Sequence, residues 1–473
     1  MAEHGLELVC FTVIVDDIVL PDGETVMEVL GGGGPQTLFG YQLATGQTAA
    51  VGLSAGVGPD MPERCKAWLR SIGCDVSGLI LHDRPTPRAW QVFEEWGRRT
   101  QIWRGRDDPC DQLYDMLRPR YDTMPPAFQR RTANYHLGVH PLHPPRRLLT
   151  RLRAAAHAAG GVLSVEPYTA AETPATRSEA VELLSHCDVF SPNEAEAESI
   201  VGPADSPAEL ARRLLALSPA GGVDVVVVRC GSAGVLAARR ATPGGGVSQQ
   251  QLEGLAEAAE AVMVPAVADT AVVDVTGCGN AFCGGFLAAL YRGATPAQRT
   301  SAPVAAAGAG GANSGGGGAG PAAGSTSEAC PPAWLARSDL AGAAAWGCVS
   351  ASFMAEARGV PLAPIPQLQD RAQERFAALR PRVHPVRLPR TSTSAGVHAC
   401  CRTAAAAKPT YGIAGSAASM AAARKGQAGG RSVVAAAAAA IRGSRLRLGS
   451  ASVAVARRQA HVALGGRVRV WGI

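Results

Sequence analysis

The chain reads as an α/β protein with a mostly parallel sheet and helices on both faces. Apolar runs of strand length, Leu8–Val15, Val162–Val165 and Val223–Val228, alternate with segments of helical spacing. One such segment, Arg146–Ala159, carries Leu148, Leu149, Leu152, Ala155 and Ala156 and closes on Gly160-Gly161. A third observation is the run Val272–Phe286, read as a short apolar strand, a glycine turn and a helix beginning near Asn280.

The first strand ends at Asp16-Asp17, and Gly31–Gly34 leads into a segment, Thr37 to about Ala50, compatible with helix or strand. Arg88–Arg104 alternates polar residues with Trp90, Val92, Ile102 and Trp103 around Gly97, the pattern of a hairpin with one apolar face. Glu166-Pro167 closes the Val162 strand, and Val189-Phe190 leads to Ser191-Pro192-Asn193-Glu194. Ser206-Pro207-Ala208-Glu209 is a capping box with proline at the first helical position. A last helix is expected from about Leu340 to Ala357, its small residues permitting close packing.

Two segments depart from this pattern. Between 297 and 336 lies a low-complexity insertion; nine of the seventeen residues from Gly308 to Gly324 are glycine, too few side chains to offset the entropy of ordering them. From about Pro366 the composition shifts to Ala, Arg, Ser and Gly, and 366–473 is expected to be a basic tail without a packed core. The division is therefore a folded domain over 1–363 and that tail.

Charge follows the same division. Residues 376–473 hold sixteen Lys/Arg and no Asp or Glu; with +6 for the whole chain, 1–375 carries −10. An acidic body argues against nucleic acid as its ligand, and the tail reads as a solvated segment. The twelve cysteines include no Cys-x-x-Cys pair, so neither a zinc ribbon nor a redox dithiol is indicated, and a reducing compartment fits. Glu3 and Glu7 before a short apolar run do not make a secretory or transit signal, and no apolar run has spanning length. The expectation is a cytoplasmic protein away from membranes. His136, His140 and His143 lie among helix-breaking prolines and are assigned no metal.

The chemistry concentrates in Asp274-Val275-Thr276-Gly277-Cys278-Gly279-Asn280. Gly277 and Gly279 remove the Cβ atoms that would keep an anion from the backbone, and the following helix aims its unpaired N–H groups at the same point. A bare, glycine-lined entrance for phosphate is expected. No Gly-x-x-x-x-Gly-Lys-Ser/Thr occurs, which excludes a P-loop kinase.

This segment resembles the second signature of the PfkB/ribokinase family of carbohydrate kinases, Asp-Thr-x-Gly-Ala-Gly-Asp, with Asn280 where the catalytic base stands. The resemblance covers roughly residues 8–363 and is to a divergent eukaryotic member carrying Asn at that position. It implies a ribokinase-like three-layer sandwich with a small β lid, formed by about 88–104. It also implies ATP and Mg²⁺ as cofactors and a sugar or nucleoside-like small molecule as acceptor. Asp16 falls where the family clasps substrate hydroxyls, and Gly32 and Gln36 fall in its first glycine signature, Gln36 replacing an asparagine. Asn193 and Glu196 match the Asn-x-x-Glu motif that organises Mg²⁺, with Glu196 as the metal-side carboxylate. Arg229, Gly231 and Gly234 match the nucleotide-side turn, Arg229 replacing a threonine; Asp274 opens the signature on the cofactor-binding side, where the family uses it mainly structurally, with a substitute base as the alternative. The lid tryptophans also suit a subunit interface, so a homodimer stays open. Two functions remain: an ATP-dependent phosphotransferase acting on a hydroxyl and weakened by Asn280, or a pseudokinase that binds nucleotide or metabolite and acts through protein partners.

Overall fold

Along the buried strands, successive side chains enter opposite cores. Leu8 and Cys10 pack on one face of the sheet and Val9 and Phe11 on the other; Val225 and Val227 face Leu8's side, Val226 and Val228 the opposite one. The computed structural model of the protein describes residues 5–95, 99–104, 110–118, 120–241, 254, 256, 259–295, 299 and 331–389.

Among them the main sheet runs through β1 (Leu6–Phe11), β4 (Val51–Val57), β5 (Cys74–Asp75), β6 (Leu79–Leu81), β9 (Thr132–Val139), β10 (Leu163–Pro167), β11 (Val189–Phe190), β12 (Val225–Arg229), β13 (Val235–Arg239), β14 (Glu260–Val264) and β15 (His384–Pro385). Its order is β15-β14-β13-β12-β11-β10-β9-β1-β4-β5, with β6 also on β4. Pairing is parallel from β5 to β12 and antiparallel from β12 to β15. A separate four-stranded sheet has the order β3-β2-β7-β8, from β2 (Ile14–Val19), β3 (Thr25–Gly31), β7 (Arg88–Phe93) and β8 (Arg99–Trp103).

Three helices beside the main sheet meet almost backbone to backbone: Gly33–Thr45, Cys278–Arg292 and Leu340–Ala355. A Cβ on Gly40 would overlap the Ala281 carbonyl, and one on Gly284 the Thr37 carbonyl. Glycine is needed at these crossings because the neighbouring atoms are main chain and cannot turn aside.

Several expectations are corrected. Leu8–Val15 is not one strand: Thr12 has φ 77°, and the chain leaves the main sheet there to start β2 in the small sheet. Asp16 therefore lies within β2, not at the end of the first strand. Of the two conformations open for the segment from Thr37, the structure takes the helix, Gly33–Thr45. Val272 and Val273 form no strand; they are exposed, and their segment is tied down by Val273 and Asp274 N–H groups donating to the Ala355 carbonyl.

Residues 301–330 of the insertion lie outside the described residues, but its end does not: Trp334 and Leu335 are buried, and Trp334 donates to Gly160 O at 2.8 Å. The boundary at 366 falls inside the helix Ile365–Leu379. Ile365, Leu368, Ala372 and Leu379 bury one face, Phe376 stacks on Trp346 at 4.8 Å, and β15 extends the sheet. Helical spacing of a few apolar residues, invisible in average composition, decides this. Residues 390–473 lie outside the described residues. No described helix is long and apolar enough to cross a membrane.

Candidate active site at the heads of two helices

The crossing of the Gly33 and Cys278 helices brings their N-termini together. Gly277 has φ 83° and caps the Cys278 helix without a side-chain bond; Gly32, φ 90°, does the same for the Gly33 helix. Across this junction Asn280 Nδ2 donates to Gln36 Oε1 at 2.7 Å. Asn280 Oδ1 faces Gly33, whose absent Cβ would lie 3.2 Å away. The two signatures, 244 positions apart, are joined by one hydrogen bond.

The entrance is not bare, which corrects the sequence expectation. A Cβ on Gly277 would overlap the Gln36 amide, and one on Gly279 would overlap Arg229 Nη1. The glycines thus admit side chains against the helix head. Arg229 ends β12 and is held by two carboxylates, Glu166 Oε2 at 3.0 Å and Glu196 Oε2 at 3.1 Å. Burial works against the Glu166 charge, yet Arg229 and His136 hold its carboxyl below the usual range. Burial instead lifts Glu196 to about 7 against the pull of Arg229. Arg229 Nε has no hydrogen-bond partner.

Asn193 and Glu196 are a reciprocal capping box: Asn193 Oδ1 accepts from Glu196 N at 2.9 Å, and Glu196 Oε2 accepts from Asn193 N at 2.7 Å. The motif therefore builds a helix start while leaving a buried carboxylate beside Arg229. Gly231 and Gly234, with φ 54° and 103°, shape the turn that follows Arg229. Cys278, in the first turn of its helix, has its thiol pushed up to about 12 by burial.

On the acceptor side, alternation in β2 separates two adjacent aspartates. Asp17 is buried and accepts Arg88 Nε at 2.7 Å and Nη2 at 2.8 Å, Arg104 Nη1, and Glu28 N at 2.9 Å. It ties the small sheet together. Asp16 instead accepts Gln91 Nε2 at 2.8 Å and packs where a Cβ on Gly31 would collide with it. Burial raises Asp16 to about 6, partly opposed by Gln91 and Arg99. Gln91 Oε1 is buried without a partner, a vacant acceptor beside Asp16.

Arg99, on β8, spans the cleft: it interacts electrostatically with Asp16 and Asp274, and Nη1 donates to Thr276 Oγ1 at 2.9 Å. Asp274 Oδ1 accepts Thr276 N at 2.7 Å, which folds the turn before the glycines. Arg99 thus links Asp16 to the turn before the glycines, Asn280 links that turn's helix to Gln36, and Arg229 brings Glu166 and Glu196 up to Gly279. The sequence reading missed Gln91, Arg99 and Glu166. The first two sit in the lid hairpin, where alternation marked the fold but no spacing marked a site; Glu166 was visible only as a carboxylate at a strand end.

With this geometry the kinship is plain. Residues 11–317 match the pfkB family of carbohydrate kinases, and the chain belongs to that family. Members are ATP-dependent phosphotransferases acting on small sugars or nucleosides. An uncharacterized protein of Schizosaccharomyces pombe is 23% identical over 294 residues, 59% of this chain and 76% of that one. Ribokinase of Giardia lamblia shares 17% identity at a TM-score of 0.53, covering 78% of this chain and 99% of its own. Fructokinase of Xylella fastidiosa, solved with bound ATP, shares 15% at a TM-score of 0.52, covering 78% and 98%. An E. coli protein described as a ribokinase II, solved with ATP and Mg²⁺, shares 15% at a TM-score of 0.50, covering 78% and 98%. At these identities the likeness establishes the ribokinase-like fold.

Proposed function

We propose that this chain is an ATP-dependent phosphotransferase acting on a hydroxyl of a sugar or sugar-like small molecule, with turnover held low by Asn280. The observation that carries this reading is the Asn280–Gln36 hydrogen bond, which couples an acceptor-side helix head to a phosphate-side helix head. Asp16 and the vacant Gln91 Oε1 offer acceptors to a pair of hydroxyls, with Gly32 keeping the backbone close and Arg99 closing the lid. With Nδ2 given to Gln36, Asn280 presents Oδ1 to a reacting hydroxyl. It orients that hydroxyl but takes up no proton, and absence of general-base help costs on the order of 10²–10⁴ in rate. Positioning and charge neutralisation supply what catalysis remains.

Gln36 and Arg229 lie in the cradle as hydrogen-bond donors, the right chemistry for phosphate oxygens, alongside the Gly277, Cys278 and Gly279 main chain. Arg229 must loosen from Glu166 or Glu196 to serve there, with Gly231, Gly234 and Asp274 shaping the nucleotide side. Glu196, a buried carboxylate with Asn193 beside it, fits an outer partner of Mg²⁺, which when bound neutralises nucleotide phosphates. The test is an untargeted metabolite screen with labelled ATP; absence of any labelled product from both wild type and Asn280→Asp would overturn the reading.

One observation favours the second reading, a pseudokinase: the guanidinium over Gly279 is already neutralised by two carboxylates. A thermal upshift with ATP–Mg²⁺ and no product in the same screen is the outcome that selects it.

A further inference from the structure

We propose that His136, Glu166 and Cys283 form a binding site for a borderline divalent cation of the zinc class, just beneath the phosphate cradle. The three side chains come from β9, β10 and the second turn of the Cys278 helix, and they are 2%, 4% and 2% exposed. His136 Nε2 stands 3.3 Å from Glu166 Oε1, Cys283 Sγ stands 3.7 Å from Glu166 Oε2, and the three ligand atoms lie within 4.8 Å of one another. The two separations to the Glu166 carboxylate, one to each of its oxygens, approach the edges, roughly 3.3–3.8 Å, of a tetrahedron whose metal–ligand bonds are about 2.0–2.3 Å, and the third lies within 4.8 Å.

The surroundings match a metal site in two further respects. His136 Nδ1 lies 3.0 Å from Ser164 Oγ, which fixes the ring and accepts a hydrogen bond from Nδ1–H when Nε2 ligates. The buried Ser191 hydroxyl adjoins Cys283 and is placed to donate to its sulfur. Imidazole and thiolate donors distinguish this site from a Mg²⁺ site, which takes oxygen ligands.

On binding, the Cys283 S–H proton passes to solvent as the metal–sulfur bond forms, and no oxidation state changes. An ion here also draws Glu166 away from Arg229, leaving Nη1 over Gly279 free for an anion. That consequence rests on the phosphotransferase reading; the ion site does not.

Full-length protein is incubated with Zn²⁺ or Co²⁺, freed of unbound metal by gel filtration, and assayed by elemental analysis and absorption. The expected result is about one retained ion per chain, a thiolate-to-cobalt charge-transfer band and a metal-dependent rise in Tm. Cys283→Ser should abolish the band, and His136→Gln should abolish retention, while Cys348→Ser, elsewhere in the core, keeps both. Folding of each variant is checked by circular dichroism without metal. Wild type that retains no ion, or a band that persists in Cys283→Ser, overturns the proposal whatever the kinase assay returns.

Discussion

Arg229 lies with its guanidinium against Gly279, so closely that no side chain could stand at residue 279 without displacing it. The positive end of a helix and a fixed cation meet there, and two carboxylates hold the cation in place. The head of the Cys278 helix thus has a resident charge cluster in addition to its glycines.

Removing the cation should expose the cost of that cluster. Arg229→Met leaves Glu166 with His136 and Glu196 with the Asn193 N–H, both buried without their guanidinium, and a loss of about 3–5 kcal/mol is expected in urea unfolding. Adding Glu166→Gln should recover part of it. Additive losses in the double variant would rule out the pairing.

Asn280→Asp should raise phosphoryl transfer by roughly 10²–10⁴-fold across a panel of sugars and nucleosides. The Gln36 amide can turn to donate to the new carboxylate, so the fold should tolerate the change. Steady-state turnover measures it; an unchanged rate removes Asn280 from the base position.

Asp16 makes stability depend on pH. Its pKa is raised from 3.8 to about 6, so the folded state binds the proton more tightly than the unfolded state does. Stability should fall as pH rises through about 4–6, by roughly 3 kcal/mol for a shift of this size. Asp16→Asn should flatten that slope and stabilise the protein at neutral pH while weakening acceptor binding. Unfolding curves at several pH values decide it.

Gln91→Leu removes both the donor to Asp16 and the vacant acceptor beside it. The acceptor KM should rise by about tenfold or more with kcat little changed, the signature of lost uniform binding. An equal fall in kcat would instead place Gln91 at the reacting atoms.

Gly40→Ala tests the helix crossing. Its Cβ would run into the Ala281 carbonyl, a main-chain atom, so a loss of about 1–3 kcal/mol is expected by denaturation. Activity should fall too, because Gln36 and Asn280 are aligned by that crossing.

Much of this protein was legible in one dimension. Strand runs, capping residues and the glycine turns before Gln36 and Asn280 are local signals, because backbone sterics and alternation act over a few neighbours. The helix Ile365–Leu379 was hidden, since composition averaged over 366–473 masks the spacing of Ile365, Leu368, Ala372 and Leu379. Which of two adjacent aspartates faces the cleft depended on β2 leaving the main sheet at Thr12. The occupants of the glycine entrance were equally out of reach. Gln36 and Arg229 arrive there from positions far along the chain, and only packing decides which side chain fills a space that a missing Cβ leaves open.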